Sequence, residues 1–104
     1  MFCFSNQEFQ EMTNKAFLSL DPLILKTFPA KEKRKFATLF TIITAFDQTK
    51  TYHEKDVNEI LKPIYHDFAT IRRYLVDYGF LSRTPDGSVY RVENPDYRSC
   101  FLLD

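Results

Sequence analysis

The chain has 104 residues and a mass of 12.4 kDa, enough for one hydrophobic core and too little for two independent domains. A hydrophobic content of 44% with 11 Phe excludes a disordered segment, and only two Gly leave no room for a glycine-rich phosphate loop or a loop-rich all-β design. The formal charge is zero, yet residues 26–91 hold 12 Lys and Arg against 8 Asp and Glu, so the middle of the chain is mildly basic and permits a polyanionic partner without requiring one.

In chain order, Ser5 to Leu20 reads as an amphipathic helix. Ser5 caps it, Glu8 follows three residues on, and Phe9, Met12, Ala16 and Leu20 recur at helical spacing. Asp21 to Pro29 is a connector punctuated by Pro22 and Pro29. Its Leu23, Ile24, Leu25 and Phe28 make it too apolar for a free linker, so it is expected to pack on the domain. A second helix spans Ala30 to Asp47, with Phe36, Leu39, Phe40, Ile43 and Phe46 on one face and Thr38, Thr41 and Thr44 away from it.

Thr51-Tyr52-His53 forms a minimal strand before a short helix marked by Val57, Ile60, Leu61 and Ile64, which Pro63 ends near Lys62. The next helix opens on Asp67 as N-cap, carries Phe68, Ile71, Leu75 and Tyr78 on one side and stops at Gly79. Phe80 to Arg83 and Ser88 to Val92 then flank Thr84-Pro85-Asp86-Gly87 as a β-hairpin, with Thr51 to His53 as its third strand. The tail from Asn94 to Asp104 ends on Phe101-Leu102-Leu103, which needs a place to bury.

This order of elements predicts an α+β, mostly helical, winged helix-turn-helix fold. A three-helix core and a β-hairpin wing occupy residues 28–93, an extra N-terminal helix and connector residues 1–27, and a tail residues 94–104. In such a fold the helix after the turn enters the major groove. On the helix from Asp67 to Tyr78, Arg73 lies almost opposite Leu75, flanked by Thr70, Arg72, Tyr74 and Asp77. Arg reads guanine with paired hydrogen bonds, and Thr or Tyr reaches phosphate or a thymine methyl. Arg73 and Asp77, four residues apart, also suit a plain surface ion pair.

Lys31, Lys33, Arg34 and Lys35 crowd a helix N-terminus, where the macrodipole disfavours cations. A phosphate backbone accounts for them, as does a solvated charge run partly neutralised by Glu32. Arg83 and Arg91 flank the hairpin turn as a phosphate-contacting wing would, or as ordinary polar strand positions. His53 and His66 lack a nearby Cys, Cys3 and Cys100 lack CxxC spacing, and no GxSxG, HExxH or P-loop occurs. No metal, cofactor or enzymatic activity is therefore expected. The first 25 residues do not read as a signal peptide, and no run approaches the ~20 apolar residues of a membrane span, so a cytoplasmic protein with free thiols is expected.

Three ordered blocks carry a family resemblance: Phe28-Pro29-Ala30-Lys31-Glu32-Lys33-Arg34-Lys35, the stretch from Tyr52 to Leu61, and the stretch from Asp67 to Leu81. Together they resemble the bacterial family known as domain of unknown function 2087, over Phe28 to about Val92. The resemblance implies a winged-helix module, of a family without an established biochemical activity, that in some members accompanies a separate DNA-binding domain in regulators of transcription. One departure is His53, a weaker N-cap, where the family often has Thr. Outside the resemblance, the N-terminal helix and the tail are expected to cover the domain or form a homodimer interface.

The leading expectation is a regulator that binds double-stranded DNA through the helix 67–78, with Lys31, Lys33, Arg34, Lys35, Arg83 and Arg91 on phosphates. The alternative is a protein-interaction or dimerisation module of the same shape, consistent with zero net charge. RNA binding ranks third.

Overall fold

The computed structural model describes residues 4–93 and 101–102. A two-residue strand β1 (Phe4–Ser5) leads into helix α1 (Asn6–Ala16), where the Ser5 hydroxyl accepts from the Glu8 amide at 3.1 Å as an N-cap should. Among the described residues, four helices and two small antiparallel sheets follow one another around a shared core. Strand β7 (Phe101–Leu102) pairs in parallel with β1. The rest of the apolar tail, together with Cys3 and Cys100, lies outside the described residues.

The first helix does not reach Leu20. It ends at Ala16, and the chain continues as strand β2 (Phe17–Leu20), which turns at a cis Asp21-Pro22 bond and pairs antiparallel with β3 (Leu23–Leu25). The connector expected from Asp21 to Pro29 thus contains one strand of a hairpin, Leu23–Leu25. The switch follows from where the backbone groups find partners. The Ala16 carbonyl accepts from the Lys26 amide at 2.7 Å, and the Leu25 amide donates to the Ile64 carbonyl at 2.8 Å. Burial alternates accordingly: Phe17 is buried and Leu18 exposed. Leu20, which fits helical spacing from Ala16, is exposed on the hairpin.

Helix α2 (Glu32–Ile43) is shorter at both ends than the expected Ala30–Asp47. Beyond it the amides of Thr44, Ala45 and Phe46 donate three residues back, so tight turns carry Phe46 into the core. Thr38 is buried rather than away from the apolar face. Both α1 and the later helix over Phe68–Asp77 pack on α2, which widens its buried surface, and the Thr38 hydroxyl donates to the Arg34 carbonyl at 2.8 Å. On the α1 side, the ring of Phe9 meets that of Phe40 at 5.7 Å.

Strand β4 (Thr51–His53) precedes helix α3 (Glu54–Leu61). The weak cap at His53 is compensated from within the helix, because the Asp56 carboxylate accepts from the His53 amide at 3.1 Å. Helix α4 (Phe68–Asp77) begins where Asp67 accepts from the Thr70 amide. It ends where Gly79, at φ +82°, lets the Phe80 amide donate back to the Leu75 carbonyl at 2.8 Å.

Strands β5 (Leu81–Arg83) and β6 (Val89–Val92) form the expected hairpin, and β4 pairs antiparallel on the other side of β6, giving the order β4-β6-β5. Tyr90 of β6 lies opposite both Tyr52 and Arg83 and is buried. Leu39, Ile42, Val57, Leu61, Ile71 and Leu75 fill the space between the helices and this sheet.

Candidate functional site

Helix α4 packs on α3, α2 and β5, and its Ile71 and Leu75 are fully buried. An apolar stripe at this spacing turns the opposite residues outward. Between this outer edge and the hairpin lies a depression of about 330 Å³ lined by Ala69, Thr70, Arg72, Arg73, Val76, Asp77, Arg83 and Tyr90. Three arginines face one carboxylate there. Local signals placed both walls: the Asp67 cap and Gly79 delimit α4, and the Pro85-Asp86-Gly87 turn reverses the strand that brings Arg83 alongside.

The arginines differ in their freedom. The Arg72 side chain is 20% exposed and reaches across to α3, where its Nη2 meets the Glu54 carboxylate at 3.1 Å and its Nη1 donates to the Asn58 amide oxygen. It joins two helices and presents only part of its guanidinium to the depression. Arg73 is 73% exposed, and its Nε lies 3.8 Å from Asp77 at the long limit of an ion pair. Arg83 is exposed on β5. Thr70 directs its hydroxyl to Asp67 at 2.8 Å, so the N-cap already uses that donor.

The remaining residues expected at the site lie elsewhere. Tyr74 stacks on Phe28 with ring centroids 5.1 Å apart, and the Lys35 ammonium lies over the Tyr74 ring, 5.0 Å from its centroid. Lys35 also pairs with Glu32 at 3.4 Å, and Lys33 pairs with Glu8 of α1 at 2.8 Å while lying over Phe4. Lys31 and Arg34 are exposed at the head of α2. Arg91 is exposed on β6 beside Glu93, in register with Ser82 and Thr51. The structure therefore gathers Thr70, Arg72, Arg73 and Arg83 around one depression and leaves the lysines of α2 and Arg91 outside its lining. Ala69, Val76, Asp77 and Tyr90 complete that lining. Only Asp77 carried a sequence signal, its spacing of four from Arg73.

Two carboxylates illustrate how local hydrogen bonding tunes these surfaces. In the hairpin turn, the Thr84 hydroxyl and the Ser88 amide and hydroxyl all donate to Asp86 Oδ1, holding its carboxyl down at about 2. Where α2 meets the end of α4, the Tyr78 hydroxyl donates to Glu32, which lowers the Glu32 carboxyl. Burial and the Glu32 contact raise the Tyr78 phenol. Among the described residues no three His, Cys, Asp or Glu side chains are grouped to hold a metal ion, and no helix is long and apolar enough to cross a membrane.

No curated protein and no solved structure matches the chain. A family model described as an uncharacterised protein conserved in bacteria does match, over residues 24–92, which takes in β3 except Leu23, the β4-β6-β5 sheet, the depression and helices α2 to α4. The chain belongs to this bacterial family, DUF2087.

Proposed function

We propose that the chain is a winged-helix module that binds double-stranded DNA in the control of transcription, with α4 in the major groove and the β5–β6 hairpin as the wing. The element order α2, β4, α3, α4, β5, β6 and the sheet order β4-β6-β5 support the winged reading. The observation that carries the functional reading is the depression, in which the outer edge of α4 and the hairpin present Arg73 and Arg83 together. Arg73 supplies a largely exposed guanidinium for base edges, Arg83 a cation for phosphate, and Lys31 and Arg34 further charge along the backbone. Helix α1 packs on α2, and the outer edge of α4 bearing Arg73 is left accessible.

The test is fluorescence anisotropy with random duplex DNA from about 20 to 200 mM salt, the range over which counterion release is read. The expected result is binding that weakens with salt and falls by about tenfold or more in Arg73→Ala/Arg83→Ala. Arg72 is the wrong residue for this test because its removal also unties α3. No binding by the parent protein at low salt overturns the reading. A second reading, a protein-interaction module, draws on Leu18 and Leu20, which are 68% and 54% exposed on the β2–β3 hairpin.

A further inference from the structure

Asp77 is the one acid in the lining of a depression that otherwise presents three arginines. Helix stability does not account for it. It is the last residue of α4, at the negative end of the helix dipole, where a carboxylate is disfavoured. Its pairing with Arg73 also runs in the weaker order, with the base N-terminal to the acid. The contact is long, 3.8 Å, and both side chains are more than half exposed. It engages Arg73 through Nε, so the terminal Nη edge used to grip a guanine is not spent on it.

From this placement we propose that Asp77 sets the selectivity of the depression for duplex DNA. Its carboxylate repels phosphate wherever α4 meets the backbone without matching bases, and accepts from a cytosine amino group where the register is right. The inference rests on the DNA-binding reading above. It assigns Asp77 a role opposite in sign to that of its arginine neighbours: removing its charge strengthens binding to unmatched DNA and removing theirs weakens it. Two unit charges several ångströms apart near a protein surface interact strongly enough for a change of about threefold to tenfold in affinity.

The experiment compares the parent, Asp77→Asn, Glu11→Gln and Arg73→Ala/Arg83→Ala on one random-sequence duplex across the same salt series. Glu11→Gln makes the same change of net charge on α1, outside the depression. Asp77→Asn is expected to bind about threefold to tenfold more tightly than the parent, while Glu11→Gln stays within about twofold because distant exposed charges are screened. Selection from a randomised duplex library should then recover a weaker base preference with Asp77→Asn than with the parent. If the parent binds but Asp77→Asn does not gain affinity, or Glu11→Gln gains as much, the role of Asp77 is overturned and the DNA-binding reading survives. If the parent does not bind at low salt, both fall together.

Discussion

The Arg72 guanidinium of α4 reaches the Glu54 carboxylate in the first turn of α3 at 3.1 Å and donates to Asn58 one turn further along the same helix. This fixes the angle between the two helices whose relative placement decides what α4 presents. Replacing Arg72 with Ala should therefore act on stability, at a cost of about 1 to 2 kcal/mol after allowance for the partial exposure of the pair. Urea unfolding measures it. Arg73→Ala, whose side chain stands on the surface, should change the midpoint little, and equal losses in the two variants would contradict the assignment of Arg72 as a brace.

Phe80 is fully buried directly after the Gly79 turn, with its ring 5.4 Å from Phe36 and 6.4 Å from Phe40. It ties the start of the β5–β6 hairpin to α2, so Phe80→Ala leaves a large cavity at the junction. The expected loss is about 3 to 5 kcal/mol. A shift of the denaturant midpoint corresponding to less than about 1 kcal/mol, roughly the worth of one buried methylene, would show that the junction refills.

The hairpin turn should respond to acid. Asp86 is held below its ordinary 3.8, down to about 2, first by the Thr84 hydroxyl and then by the Ser88 amide and hydroxyl. A carboxyl whose value is lower in the folded state contributes stability that is fully present above about pH 4 and is lost as the pH falls toward 2. Protection of the Ser88 and Val89 amides against hydrogen exchange, taken relative to the intrinsic rate at each pH, should fall over that window in the parent. In Asp86→Asn the exchange should be faster at neutral pH and lack the acid-dependent step; an identical pH profile in both proteins would refute the assignment.

Much of this architecture was legible because its determinants are local. The limits of α4 follow from the Asp67 cap and from Gly79, and the hairpin follows from Pro85-Asp86-Gly87 between two short apolar strands. The third strand, Thr51 to His53, was legible in the same way. The N-terminal region was not. Ala16 and Leu20 satisfy helical spacing, but the alternation from Phe17 through Leu20 and the Asp21-Pro22 turn equally suit a hairpin. The competition was decided by hydrogen bonds to Lys26, past the end of the helix that spacing suggested, and to Ile64, far from it in sequence.

The candidate site divides along the same line. Sequence by itself determined which side of α4 carries Arg73 and that Arg83 borders a turn, because helical phase and turn chemistry depend on near neighbours. Tertiary structure decided which cations are available. Arg72, Lys33, Lys35 and Tyr74 all read as surface groups in the sequence, yet they meet Glu54, Glu8, Glu32 and Phe28 once the elements pack. Periodicity reports the direction in which a side chain leaves its own helix. Whether an oppositely charged group or an aromatic ring from another element stands in that direction depends on how the helices and the sheet are placed against one another.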